Sequence, residues 1–117
     1  MNKQIPRNLS PHDLQGWLQK ESPNPVLIDV REENELAMAP FPAQVLHLPL
    51  SESSIWIETL PEKLKTSNPV VVICHSGIPS WNFATWLIDQ GWGCDVWNLE
   101  GGIDAWSVLV DPTVPRY

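Results

Sequence analysis

Val70-Val71-Val72-Ile73-Cys74-His75-Ser76-Gly77-Ile78-Pro79-Ser80 is the stretch on which the reading of this chain turns. Four β-branched residues in a row favour a strand buried on both faces. A short loop with one glycine follows. From Ser80 to Gln90, residues Trp81, Ala84, Leu87 and Ile88 recur at helical spacing, and Gly91 is placed to end that helix. Strand, tight loop and helix together form half of a parallel crossover unit. In such sheets the ligand site lies beyond the carboxyl ends of the strands. Cys74 is the first residue there.

The same alternation extends in both directions. Gln4-Ile5 is a candidate short first strand, Val26–Val30 a buried second one and Val45–Leu48 a third. Ser10-Pro11-His12-Asp13 predicts a helix start, with a Ser cap, Pro at the first helical position and an acid soon after. Leu14, Trp17 and Leu18 would turn that helix toward the core, and Ser22-Pro23-Asn24-Pro25 would stop it. Glu32–Met38 predicts a brief helix ended by Pro40 and Pro42, with Glu32-Glu33-Asn34-Glu35 as its solvated face. Ser51–Lys65 predicts one or two short helices restarted at Pro61. Val96–Leu99 is a last strand and Ile103–Val110 a last helix. The pattern implies an α/β protein, a parallel sheet covered by helices on both faces.

Bulk properties narrow the function. At 117 residues, the chain is read as a single domain over 1–117 that can bury a core without staples. Seven Trp residues imply a core built partly from large rings, with those at 81, 86, 97 and 106 read as packing residues. A formal net charge of -7 argues against a nucleic-acid partner, because phosphate binding needs clustered Lys and Arg. No apolar run approaches the roughly 20 residues that span a bilayer, so no membrane partner is expected. Met1 to Ser10 is polar and lacks a secretion signal, so a cytoplasmic location with reduced thiols is expected for the two cysteines.

The chemistry centres on Cys74. A loop this tight turns backbone N–H groups inward, and Gly77 can take the positive φ that closes the ring. The following helix adds free N–H groups and the positive end of its dipole. A thiolate or persulfide on Cys74 would sit in a cradle of donors that favours the anionic sulfur. The plain alternative is a small buried side chain ending a core strand. Phosphatases with a similar cradle use Cys-x5-Arg, where the Arg clamps phosphate. Five residues after Cys74 stands Pro79, then Ser80, and the loop holds no Arg, so phosphatase chemistry is disfavoured.

Three segments in order resemble the rhodanese domain family: Leu27-Ile28-Asp29-Val30-Arg31-Glu32, the loop opening at Cys74, and Asn98-Leu99-Glu100-Gly101-Gly102-Ile103-Asp104-Ala105-Trp106. The resemblance implies a three-layer sandwich, a five-stranded parallel sheet between helices. It implies sulfur transfer in two steps: a donor such as thiosulfate or a persulfide loads Cys74, and a thiol or cyanide-like acceptor removes the sulfur. A protein donor or acceptor is also compatible, and no metal or organic cofactor is implied. Many members carry Arg directly after the Cys and often a basic or hydroxyl residue five positions on. Here His75 and Pro79 stand there, so thiosulfate should bind less well than in a typical member. A second reading is a catalytically weak module for protein interaction or redox sensing.

Other residues are weighed against plainer roles. His75 either supplies partial charge to the loop or is simply exposed. Ser76 and Ser80 can offer hydroxyls to a bound sulfur, although Ser80 also suits a helix N-cap. Ile78 and Pro79 complete the substrate-facing loop; Pro79 has no N–H to offer. Asp29 and Arg31 are candidates for the site rim or for an ion pair bracing that edge. Cys94 is expected at the opposite end of the sheet, too far to pair with Cys74. His12, His47 and His75 lack metal-ligand spacing. Gly101-Gly102 is read as a tight turn near the active loop. Ala39-Pro40 stands where the family usually has Gly-His. The tail Asp111–Tyr117 is expected to be extended, either packed across the surface or mobile.

Overall fold

The computed structural model describes residues 5–20, 24–64 and 68–117. Five parallel strands form one sheet in the order β1-β5-β4-β2-β3, namely β1 (Arg7–Leu9), β2 (Val26–Asp29), β3 (Leu46–His47), β4 (Val70–Ile73) and β5 (Val96–Leu99). The helices are α1 (Pro11–Leu18), α2 (Glu33–Met38), α3 (Ser53–Trp56), α4 (Leu60–Lys63), α5 (Ile78–Asp89) and α6 (Gly102–Leu109), with single 3-10 turns flanking α3.

Successive strand residues face opposite ways, so β4 feeds two cores. Val70, Val72 and Cys74 join Ile28, Val30 and Val96 under Trp56, Leu60, Phe83 and Leu87 from α3, α4 and α5. Val71 and Ile73 join Leu9, Leu27 and Leu99 under Leu14, Ile103 and Trp106 from α1 and α6. This is the three-layer sandwich, and it explains why four consecutive β4 residues are all apolar: every one is buried. The pattern also puts Cys74 on the α5 side of the sheet.

Helix ends follow local chemistry. Ser10 Oγ accepts from the Asp13 N–H at 3.1 Å and Pro11 takes the first position of α1, as its sequence predicts. That helix stops at Leu18, before the predicted Pro-rich break, of which Ser22 and Pro23 lie outside the described residues. The segment from Ser51 is split into short pieces, and Lys65 also lies outside the described residues.

Several expectations need correction. The first strand is Arg7–Leu9, not Gln4-Ile5: Ile5 is not in a strand and Gln4 lies outside the described residues. Its polar start is tolerated at a sheet edge, where Arg7 pairs with Asp95 and lies 3.9 Å over the Trp97 ring. The third strand shrinks to Leu46–His47, and the last helix runs 102–109 instead of 103–110. α5 begins at Ile78, so Ser80 is its third residue and not its cap; Gly77, at φ +107°, holds the cap position. Of the four Trp residues read as packing, Trp106 is buried, Trp86 and Trp97 are half-buried and pack against the two cores as read, and Trp81 is half-buried. Among the described residues no helix is long and apolar enough to cross a membrane.

Candidate active site

β4 ends at Ile73, and the chain turns through residues 74–77 into α5. The turn brings two of the predicted residues, Gly77 and Ser80, onto the sulfur of a third, Cys74. The Gly77 N–H donates to Cys74 Sγ at 3.0 Å, and Ser80 Oγ, one turn into α5, lies 3.0 Å from the same sulfur. Gly77 reaches this position because its backbone is left-handed, a conformation in which a side chain would be strained.

A second layer supports the loop from beneath. The first-turn amides of α6 are aimed at loop carbonyls: Ile103 N–H donates to Cys74 O at 2.9 Å, and Asp104 N–H to His75 O at 3.0 Å. The anticipated ring of amides around the sulfur is therefore narrower than expected. Among the described residues the sulfur receives one backbone N–H, and the α6 amides hold the loop instead. The sulfur is also enclosed, with Cys74 only 3% exposed. Gly101-Gly102 forms the tight turn expected of it, because Gly102 lies directly against the loop backbone.

The rim is formed by neighbouring strand ends. Asp29 and Arg31, both buried, make a two-pronged ion pair: Arg31 Nη2 donates to Asp29 Oδ2 at 2.8 Å and Nε to Oδ1 at 3.0 Å. Asp29 Oδ1 also accepts the Arg31 backbone N–H, so this carboxylate braces the strand end. Burial alone would weaken the Arg31 charge. Hydrogen bonds donated to Asp29 and Tyr117 outweigh it and hold the guanidinium above its ordinary pKa. His47 Nε2 lies 2.7 Å from the Arg31 carbonyl, which can only accept, so that nitrogen carries the proton. The pair turns toward each other and toward the tail, with its donors already engaged.

Of the remaining predicted residues, His75 is half-buried, and Ser76, Ile78 and Pro79 are exposed on the outer wall, Ile78 by 70%. Pro79 is the second residue of α5 and borders an apolar groove of about 360 Å³ with Trp56, Phe83 and Trp86. Cys94 sits before β5, at the amino end of the strands, half-buried and held above the usual thiol range by desolvation. Among the described residues both cysteines are free thiols, and no three acids, histidines or cysteines cluster as metal ligands.

Two contributors were not singled out in the sequence. Asn98 on β5 is 3% exposed and bonded to Ser80 Oγ at 2.5 Å; its only signal is a polar residue at a buried strand position. Tyr117 is the other. The tail after α6 packs down, with Val114 buried and its carbonyl accepting from Ser107 Oγ, and Arg116 paired to Asp104. This places the Tyr117 ring flat on the His75 ring, with centroids 4.2 Å apart and planes at 11°. The Tyr117 hydroxyl accepts from Arg31 Nη1 at 3.0 Å and donates to Glu35 Oε2 at 2.9 Å.

Burial, with the Glu35 bond, pushes the Tyr117 phenol up to about 12 from 10.0, against the pull of Arg31. A raised folded value means the tail's contribution is intact below pH 10 and lost as pH climbs toward about 12. Thermal unfolding of the wild type is expected to fall across that window, and Tyr117→Phe is expected to fall less. Equal losses in the two proteins would contradict the placement of this hydroxyl.

The fold and site define a class first: a parallel α/β sandwich whose central strand delivers a cysteine into a strand-to-helix loop at the carboxyl edge. Residues 10–109 match the Rhodanese-like domain, and the chain belongs to that family, in which relatives named as sulfurtransferases place it at the family level. One relative is the Rhodanese-like/PpiC domain-containing protein 12, chloroplastic, of Arabidopsis thaliana, 40% identical over 91 residues; the match covers 78% of this chain but 30% of that protein. Another is Thiosulfate sulfurtransferase GlpE of Actinobacillus pleuropneumoniae serotype 3 (strain JL03), 31% identical over 99 residues, covering 85% of this chain and 84% of GlpE. Among solved structures, a Rhodanese-like Domain Protein from Staphylococcus aureus superposes with a TM-score of 0.67 at 24% identity, covering 95% and 98% of the two chains. That likeness supports the fold.

Proposed function

We propose that this protein is a sulfurtransferase in which Cys74 carries the transferred sulfur as a persulfide. The observation that supports this best is the sulfur itself, with the Gly77 N–H and the Ser80 hydroxyl each 3.0 Å away. In the first step the Cys74 thiolate attacks the sulfane sulfur of a donor. A Cys74 S–S bond forms, the donor's own bond to that sulfur breaks, and the donor remainder leaves with the electron pair. In the second step a cyanide or thiol acceptor attacks the outer sulfur, and the pair in the S–S bond returns to Cys74. The protein's part is to present the sulfur and to place donors where negative charge develops. Because Cys74 is 3% exposed, a donor must displace part of what covers the sulfur to reach it.

Local charge bears on the donor. The sole basic side chain in the loop is His75, while Arg31 is committed to Asp29 and Tyr117. Glu100 lines the hollow beside Gly77 and Ile78. A dianion such as thiosulfate therefore meets little compensating charge, and persulfides of small thiols or of a protein are the better donors. Two free thiols suit a reducing, cytoplasmic setting. Thiocyanate formation from cyanide tests the reading. Turnover is expected to be faster with a persulfide than with thiosulfate and to vanish in Cys74→Ala.

The burial of Cys74 favours a second reading, a module with little turnover that binds a protein or senses oxidation. Absence of thiocyanate with every donor would favour that reading over the first.

A further inference from the structure

Behind the sulfur lies a buried chain of polar groups whose proton positions are fixed by chemistry. Asn98 Nδ2 is 3.2 Å from the Gly77 carbonyl and 3.2 Å from Asn8 Oδ1. A carbonyl can only accept, so the amide group facing Gly77 must be the NH2, and Asn98 Oδ1 faces Ser80. Two oxygens 2.5 Å apart need a proton between them, and Oδ1 has none, so the Ser80 hydroxyl donates to Asn98. The hydroxyl has one proton. Toward Cys74, 3.0 Å away, Ser80 Oγ can then act only as an acceptor, which suits a neutral S–H and not an anionic sulfur.

Taking Cys74 as the nucleophile, as proposed above, we infer that Asn98 is a positioning residue that holds the Ser80 proton away from the sulfur until the sulfur becomes anionic. When Cys74 loses its proton to water, the Ser80 hydroxyl turns from Asn98 Oδ1 to Sγ, and Oδ1 gives up its donor. The Asn98 NH2 remains on the Gly77 carbonyl, and the Gly77 N–H, set by its left-handed backbone, remains on the sulfur. The donor count at the sulfur thus rises when charge appears there.

The charged and titratable groups around the loop do not take part directly. They are Asp29 at the end of β2, Arg31 just after it, His75 in the loop, Glu100 after β5, Asp104 on α6 and Tyr117 stacked on His75. Among the described residues none is hydrogen-bonded to Sγ, Ser80 Oγ or the Asn98 amide.

The test is the rate of Cys74 alkylation by iodoacetamide at pH 7, read by intact mass in a Cys94→Ser background. Asn98→Leu cannot accept the proton and leaves Ser80 free to donate to the thiolate. Its rate is expected to rise about tenfold, the effect of one hydrogen bond to a charged group. Adding Ser80→Ala is expected to cancel the gain. An unchanged or slower Asn98→Leu, or a gain that survives Ser80→Ala, would overturn the inference. If near-UV circular dichroism shows that Asn98→Leu does not fold, Ser80→Ala alone decides. Its Cys74 S–H infrared stretch, read in the Cys94→Ser background, is expected to rise, because the resting thiol then loses the hydroxyl oxygen it donates to; an unchanged stretch overturns the inference. Neither readout uses a sulfur donor, so this outcome stands apart from whether the protein transfers sulfur.

Discussion

Gly102→Ala is expected to lower stability by about 2–5 kcal/mol and to displace the Cys74 loop. Gly102 has φ +62°, and a Cβ there would lie 2.4 Å from the His75 carbonyl oxygen and 2.5 Å from that of Cys74. Both obstacles are backbone atoms, and both belong to the carbonyls that the α6 amides hold. Neither can swing aside as a side chain can, so α6 must back away and release the loop. Ordinary domains are stable by about 5–15 kcal/mol, which makes this a large fraction. Gly16→Ala is the control. Its Cβ would meet nothing within 4 Å and its φ is not positive, so it is expected to gain about 0.5–1 kcal/mol from helix propensity. Urea unfolding of the two variants checks both signs. A Gly102→Ala protein as stable as wild type would contradict the described contact between α6 and the loop.

Arg31→Leu is expected to cost about 3–5 kcal/mol, because it strands a buried carboxylate. Asp29 is fully enclosed and takes its side-chain hydrogen bonds from Arg31. Replacing both partners with leucine is expected to cost much less than the sum of the single changes, since no unpaired charge remains. The cycle also separates two roles. As a brace, the pair moves unfolding free energy and sulfur-transfer rate together; as a substrate contact, it would move the rate while stability recovered in the double variant. The engaged donors of Arg31 predict the first result.

Much of the architecture could be read from short-range pattern. The β-branched run at Val70–Ile73 has every residue buried, and the strand-end rule put Cys74 at the carboxyl edge of the sheet. Gly101-Gly102 was legible as a turn because only glycine tolerates such an approach. The misses have physical causes as well. β1 begins with Arg7 and Asn8, so an edge strand paired on one side left no apolar signature. Ser80 resembled a cap, but Pro79 fits the first turn of a helix and Gly77 supplies the turn before it. The polar chain through Asn98 joins residues 18 and 90 positions apart, and Tyr117 meets Arg31 across 86. Separations of that size leave no periodic trace. The narrowed ring of amides at Cys74 has the same origin, since composition could not reveal that α6 would aim its N–H groups at the loop carbonyls.

The most direct measurement is intact mass after incubation with a small-thiol persulfide, followed by peptide mapping under non-reducing conditions. The account predicts a gain of one sulfur atom, located on Cys74, removed by cyanide and absent in Cys74→Ala while Cys94→Ser retains it. No gain on the wild type, or an equal gain on Cys74→Ala, would contradict it.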